Sequence, residues 1–229
     1  MPRYALYFAP PHESPLWTAG VRWLGRDPES REMIAPPTVH GLSPARQRQL
    51  TESPRRYGWH ATLKAPFTLA EGFSIDDLIA ETERFCARRE AFPLPALEVG
   101  SLEGFLALVP ARAANTMQDL AAQCVEYFDP LRAPLSAADR ARRDPLVLSS
   151  QQRELFERWG YPYVMDEFRF HLTLTERLGA PDAAVLRPWL ERYFAEALDA
   201  GAQVNGVAVF EEPAAGSAFR LVRRVGFGG

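Results

Sequence analysis

The sequence predicts an α+β fold made of two similar lobes. Strand-like segments are short and bounded by proline or glycine, and capped amphipathic helical segments follow them. The order of strand, helix and strand pair occurs twice, beginning near residues 57 and 168, which predicts a duplication at the scale of a lobe. Since no linker or shift of composition divides the chain, we expect a single domain over residues 1–229.

In the first half of the chain, proline and serine mark most of the predicted boundaries. Pro10 and Pro11 end the first predicted strand, and Ser74 caps a clear amphipathic helix. The expected elements are a strand at 3–9, a helix at 14–24, an irregular connection at 26–56 with a short helix at 43–52, a strand at 59–69 and a helix at 74–85.

The second half repeats this rhythm with a second long connection. A pair of strands over 97–110 breaks near Gly100 or Gly104. The remaining elements are expected to be a helix at 116–128, an irregular connection at 130–162 with one helix at 150–159, a strand at 168–175, a helix at 182–198 and a closing hairpin at 203–210 and 219–225.

Composition excludes several classes of protein. Hydrophobic residues form 47% and charged residues 24% of the 229-residue chain, the balance of a globular protein with a large core. The net charge of −3 disfavours a long nucleic-acid partner. No stretch approaches the roughly 20 apolar residues of a membrane helix, and the apolar run at the N-terminus is too short for a signal peptide. We therefore expect a cytoplasmic protein without membrane contact or an obligate protein partner.

Two of the four histidines lie in nearly the same short sequence. The segments are WHATL at 59–63 and FHLTL at 170–174, so each histidine has a threonine two residues later. Side chains two apart on a strand share a face, which places His60 beside Thr62 and His171 beside Thr173. Two imidazoles act together as base and acid, and hydroxyls donate to anionic oxygens. This set suits in-line displacement at a phosphodiester.

Strand alternation adds two cations to this set. Lys64, the only lysine in the chain, continues the face of His60 and Thr62, and Arg169 precedes the face of His171. Both are candidate contacts to the substrate's phosphate, although each is equally compatible with a solvated strand charge, and a bulge in either strand would invert the assignment. Four tyrosines are weaker candidates for stacking on a ribose or base: Tyr7, Tyr57, Tyr161 and Tyr163.

Other catalytic chemistries lack their sequence patterns. Catalytic zinc needs three protein ligands, and neither His60 nor His171 has a second histidine or a carboxylate at ligand spacing on its strand face. No glycine-rich phosphate loop and no serine nucleophile elbow occurs. We therefore expect no metal and no cofactor.

The phrases HATLKAPF and FRFHLTLT resemble the paired His-x-Thr-x motifs of the 2H phosphoesterase superfamily, which includes LigT-type enzymes and RNA 2′,3′-cyclic phosphodiesterases. The longer phrases YGWHATLKAPF and WGYPYV followed by FRFHLTLT resemble a narrower branch, the DUF1045 proteins, which are often described in connection with phosphonate metabolism. The resemblance covers essentially the whole chain. It implies a two-lobed α+β fold with a pseudo-twofold axis, in which antiparallel sheets line a central cleft and helices lie outside. It also implies metal-independent chemistry, with His60 and His171 as the catalytic pair and Thr62 and Thr173 as phosphate-binding hydroxyls.

The sequence therefore predicts a metal-independent phosphoesterase that hydrolyses a small nucleotide-like or ribose-derived cyclic phosphate. Two alternatives remain open at this point. One is an enzyme that opens 2′,3′-cyclic phosphates at RNA ends, against which the acidic composition counts mildly. The other is a module that binds a phosphorylated metabolite in the same cleft without turning it over.

Overall fold

A computed structural model describes residues 1–141 and 148–229; residues 142–147, inside the connection predicted for 130–162, lie outside the described residues. The helices are α1 (Pro15–Leu24), α2 (Pro44–Leu50), α3 (Glu52–Tyr57), α4 (Ile75–Cys86), α5 (Asn115–Tyr127), α6 (Ala137–Ala141), α7 (Ser150–Trp159) and α8 (Ala180–Asp199). The strands are β1 (Arg3–Phe8), β2 (Ala61–Phe67), β3 (Phe92–Pro93), β4 (Leu97–Leu102), β5 (Phe105–Pro110), β6 (Leu172–Arg177), β7 (Gln203–Val204), β8 (Gly206–Glu212) and β9 (Arg220–Gly226).

Two antiparallel sheets carry the fold, which confirms the predicted α+β class. The first has the strand order β2-β1-β8-β9, and the second has the order β4-β5-β6. The short strands β3 and β7 pair separately. Strands β2 and β6 begin directly after His60 and His171 and are called the histidine strands below. Each lies at one edge of its sheet.

Capping residues explain where several helices begin and end. The Ser14 hydroxyl accepts from the backbone N–H of Trp17 at the start of α1, and Gly25 ends that helix at φ 75°. Helix α4 begins with a capping box between Ser74 and Asp77. The turn between β4 and β5 has positive φ at both Glu103 and Gly104, as a tight antiparallel hairpin requires.

One cluster of buried apolar side chains extends across both sheets and the long helices. Helix α1 connects the two histidine strands, because its Trp23 indole N–H donates to the carbonyl of Leu174 in β6 at 2.8 Å, while Gly20 faces Trp59 just before β2. A Cβ atom at Gly20 would lie 2.1 Å from Trp59 Cε2, so this close packing requires glycine. Helix α1 therefore positions the segments that carry both histidines.

The structure contains most of the predicted elements and differs at a few of them. A separate helix, α3, occupies 52–57, and α6 lies within the second predicted connection. Strand β6 begins at Leu172 rather than at residue 168, and a 3-10 turn at Met165–Glu167 lies before it in the chain. The strand predicted at 203–210 is divided into β7 and β8. No helix formed by the described residues is both long and apolar enough to cross a membrane.

Candidate active site

Two adjoining cavities lie between the histidine strands. The larger has a volume of about 580 Å³ and is lined by His60, Thr62 and Thr173 among others. The smaller has a volume of about 180 Å³ and is lined by His171 and Arg169. Four residues line both: Thr62, Ala65, Phe105 and Tyr161. The structure therefore brings both histidine motifs to one composite site.

His60 is held by a backbone carbonyl and an aromatic ring. Its Nδ1 lies 2.8 Å from the carbonyl oxygen of Gly58. Its ring stacks on that of Tyr7, with the centroids 3.7 Å apart and the planes inclined by 22°. Gly58 has φ 85°, a conformation that favours glycine, so the carbonyl that orients His60 depends on this residue.

His171 has a similar anchor but a different neighbour. Its Nδ1 lies 2.7 Å from the carbonyl oxygen of Arg169, which repeats the two-residue spacing of the first motif. The ring of Phe105 is tilted against it, with the centroids 5.7 Å apart. Because a carbonyl oxygen only accepts, both histidines carry their proton on Nδ1 and keep the Nε2 lone pair available when neutral.

The two imidazoles differ in their affinity for a proton. Burial lowers the pKa of His60 to about 4; the hydrogen bond to Gly58 opposes this change, and a charge on His171 adds to it. Burial also lowers the pKa of His171, but there the hydrogen bond to Arg169 and the negative charge of Glu103 both oppose it. His60 is thus strongly held in its neutral form, while His171 has an acidic neighbour that favours the protonated form.

Lys64 does not lie where strand alternation predicts, and that expectation is wrong. The side chain is 3% exposed, its Nζ donates to the carbonyl of Val125 at 3.0 Å, and Asp129 Oδ1 lies 3.4 Å away. It is absent from the described residues that line either cavity. The cause is a bulge, because one step along β1 from Tyr7 to Leu6 spans two steps along β2, from Thr62 to Lys64.

The second motif has the same kind of irregularity. Between β5 and β6, two steps from Ala107 to Phe105 span four steps from Thr173 to Arg177. Thr175, four residues after His171 as Lys64 is after His60, is 1% exposed, and its hydroxyl accepts from the backbone N–H of Leu106. Arg169 is exposed and lines the smaller cavity beside His171, as the sequence places it.

Some residues that line the two cavities were only weak candidates for substrate contacts in the sequence, and one, Arg3, was not a candidate. All four candidate tyrosines line one or both cavities, with Tyr7 paired to Thr62 across β1 and β2. Arg3 also lines the larger cavity. The sequence contains one indication of this position, because Arg3 and Tyr7 are an even number of residues apart and so share a face of β1. That indication is useful only once β1 is known to pair with β2.

The remaining histidines lie apart from this site. His12 is 57% exposed at its side chain and lies 3.9 Å from Asp27 Oδ2, and His40 is exposed. Among the described residues, no group of three or more histidines, cysteines or acids has an arrangement that could hold a metal ion.

Comparison with known proteins gives a family and two kinds of relative. The family model described as "Protein of unknown function (DUF1045)" matches residues 62–220. A protein of Janthinobacterium sp. (strain Marseille) named ribose 1,5-bisphosphate phosphokinase PhnN is 41% identical over 233 residues, covering 100% of this chain and 51% of that protein. A protein of the same name from Laribacter hongkongensis (strain HLHK9) is 42% identical over 224 residues, covering 97% and 51%. The chain spans about half the length of these curated relatives.

Two solved structures are similar at low identity. The crystal structure of E. coli LigT complexed with 3′-AMP is 12% identical, with a TM-score of 0.44, covering 100% of this chain and 99% of that one. A crystal structure of a phosphoesterase is 12% identical, with a TM-score of 0.45, covering 99% and 98%.

Proposed function

The chain belongs to the DUF1045 family, a family of unknown function, and we propose that it is a metal-independent phosphoesterase that hydrolyses a small cyclic phosphodiester of ribose. The observation that carries this proposal is the pair of oriented imidazoles at one composite site, each with Nδ1 fixed by a backbone carbonyl two residues earlier. A hydroxyl from each motif, Thr62 and Thr173, lines the larger cavity.

In the proposed reaction, His60 is the general base and His171 the general acid. Water attacks phosphorus while His60 Nε2 takes its proton, and the bond from phosphorus to one ring oxygen breaks as His171 Nε2 protonates that oxygen. The products are a phosphomonoester and a free hydroxyl, and proton exchange with solvent restores both imidazoles. The assignment follows from the lowered pKa of His60 and from Glu103, which favours a charged His171.

The threonine hydroxyls stabilise the negative charge on the phosphoryl oxygens. Thr62 lines both cavities and therefore borders the space between the two histidines. Hydroxyl donors aimed at oxygens that gain charge lower the barrier because they need no reorientation during the reaction. A protein that supplies these donors itself does not need a metal ion for the step.

The names of the curated relatives support a ribose substrate. They are named for a kinase that acts on ribose 1,5-bisphosphate, and this chain spans about half of their length. The chain has no Walker-type GxxxxGK[ST] sequence, so we do not assign it the phosphokinase activity. Hydrolysis of a ribose 1,2-cyclic phosphate at the bond to O2 leaves the phosphate on O1, one of the two positions that are phosphorylated in ribose 1,5-bisphosphate.

A screen of cyclic phosphates followed by phosphorus NMR tests this function. We expect turnover of a ribose 1,2-cyclic phosphate in the presence of EDTA, with the phosphorus retained on O1. Faster turnover of an RNA oligonucleotide with a 2′,3′-cyclic end would favour RNA-end processing instead. Binding without turnover of any cyclic phosphate would contradict an enzymatic role, and loss of activity in EDTA that zinc or manganese restores would contradict metal independence.

A further inference from the structure

The larger cavity extends well beyond the space that a cyclic phosphate at the histidines needs. Its volume of about 580 Å³ falls within the range of about 300–1,000 Å³ that is typical of small-molecule sites. Arg3 lines this cavity and lies four residues from Tyr7, the residue that stacks on His60. Four strand residues span about 13 Å, so the backbone of Arg3 lies well away from His60, and its long side chain reaches back into the cavity.

Arg3 is held in place through one edge of its guanidinium group. Its Nε donates to Glu212 Oε2 at 2.5 Å, and its side chain is 19% exposed. The described residues form no hydrogen bond with its two Nη groups. The edge of the guanidinium that best matches a phosphoryl or carboxylate group is therefore not used by the described part of the protein.

The carboxylate that holds Arg3 does not cancel the positive charge around it. Glu212 is fully buried and also accepts from Arg56 Nη1 at 2.9 Å and from the backbone N–H of Gly216 at 3.0 Å. Two guanidinium groups share this one carboxylate, so the Arg3, Glu212 and Arg56 cluster has a net charge of +1. Burial raises the pKa of Glu212, but the hydrogen bond and charge of Arg3 outweigh that effect and keep the pKa below its usual value.

The other arginines along this cavity are engaged differently. Arg132 donates to Asp129 Oδ1 at 2.8 Å and to the carbonyls of Ala133 and Arg158, so its donors and charge are already used. The Arg177 side chain is 77% exposed and lies 3.7 Å from Glu103. An exposed pair at this distance is weak, so it does not fix the orientation of the Arg177 side chain. Arg3 alone among these three combines partial burial, a fixed orientation and unused donors.

We infer that Arg3 binds a second phosphoryl group of the substrate, remote from the phosphate that reacts, so that the preferred substrate is a cyclic phosphate that also carries a phosphomonoester. This inference rests on the proposed function for the reacting end and adds a specificity site at the other end. A planar guanidinium binds phosphoryl oxygens with two parallel hydrogen bonds, which gives both orientation and affinity.

A matched pair of substrates tests the inference. We compare kcat/KM for ribose 1,2-cyclic phosphate 5-phosphate with that for ribose 1,2-cyclic phosphate, which differs only at O5. The wild-type protein is expected to prefer the first by about tenfold to a hundredfold, the effect of a hydrogen bond to a charged group. Arg3→Gln, which can still donate to Glu212, should abolish this preference by lowering kcat/KM for the phosphorylated substrate only.

Arg56→Gln is the matched control, since it removes the other cation from Glu212 but not one that lines the cavity. It should keep the preference, and circular dichroism should show that both variants are folded. Equal rates on both substrates in the wild type, or an equal loss on both in Arg3→Gln, would overturn the role of Arg3 and leave the proposed function intact.

A separate binding measurement keeps the two proposals apart. If the wild type hydrolyses neither substrate, the proposed function fails, and calorimetric titration with ribose 5-phosphate then decides the role of Arg3 by itself. Binding by the wild type that weakens at least tenfold in Arg3→Gln would support the site. Equal binding by the two proteins, or no binding by either, would overturn it.

Discussion

Tyr7 and His60 form a stacked pair across the first sheet, with ring centroids 3.7 Å apart and planes inclined by 22°. Tyr7 is 1% exposed and pairs through its backbone with Thr62. The stack covers one face of the imidazole with an aromatic ring instead of water. It therefore fixes the plane of His60 and contributes to the burial that lowers its pKa to about 4.

Tyr7→Leu should lower kcat by about two- to tenfold, the effect of losing a stacked aromatic pair. Water admitted to His60 should also raise its pKa from about 4 towards 6.5, which moves the acidic limb of the rate profile to higher pH. Tyr7→Phe keeps the ring and serves as the control, with both properties close to wild type. An unmoved acidic limb in Tyr7→Leu, measured as kcat/KM against pH, would show that the stack does not control His60.

The pH profile of the wild type follows from the two lowered pKa values. The base must be neutral, so kcat/KM rises as pH increases through the value of about 4 for His60. The acid must be protonated, so kcat/KM falls again above the pKa of His171, which lies below the usual 6.5. The profile should be bell-shaped with its maximum on the acidic side of neutrality, and its two limbs belong to the pair. A maximum above pH 8 would contradict this arrangement.

Lys64→Met should leave kcat/KM and its pH profile unchanged, since the Lys64 ammonium group donates to the carbonyl of Val125 in helix α5 and lines neither cavity. Its effect should appear in stability at high pH. Burial lowers the pKa of Lys64 from 10.5 to about 8, so between these values the unfolded chain binds more protons and the stability of the wild type rises with pH. Urea unfolding at pH 8 and 10 should show less of this rise in Lys64→Met. A changed kcat/KM in this variant would show that Lys64 contributes to the active site.

The position of Lys64 shows which part of the site the sequence could predict. Spacing by two residues predicts each histidine beside its threonine, because that relation is local and precedes the bulges. His60 and Thr62 do line the larger cavity together, whereas Thr173 lines the larger cavity and His171 the smaller one. Four residues after each histidine the pairing is already irregular, so Lys64 and Thr175 are both buried, although Thr175 still lines the larger cavity and Lys64 lines neither. A bulge depends on how the partner strand pairs, and that information is not local.

Local signals also decide which helix boundaries could be predicted. Helices α1, α4 and α7 have serine caps that are visible in the sequence, and their starts are predicted closely. Helix α3 follows α2 after a single residue without a side-chain cap, so its start lacks a sequence signal. The contact between Arg3 and Glu212 depends on the pairing of β1 with β8, which joins two residues 209 positions apart in the sequence.

Gly20→Ala should destabilise the fold and reduce activity together. The added Cβ would lie 2.1 Å from the Trp59 ring, which must move, and Trp59 directly precedes His60. Overpacking of this kind costs about 1–3 kcal/mol. Gly226→Ala is the control, because there the nearest atom, the Asn205 carbonyl oxygen, lies at an ordinary 3.9 Å. Unfolding in urea and kcat should both be near wild type in Gly226→Ala. Wild-type kcat in Gly20→Ala would show that the position of Trp59 does not control the placement of His60.

The most direct test of the central claim is kcat/KM on ribose 1,2-cyclic phosphate 5-phosphate for His60→Ala, His171→Ala and the double variant. If the two imidazoles act as base and acid in one step, each single variant should lose at least a hundredfold, the lower end of what a general acid or base contributes. The double variant should then be hardly worse than either single one, because the residues act as a unit. Near-wild-type turnover in either single variant, with circular dichroism unchanged, would contradict the two-histidine mechanism.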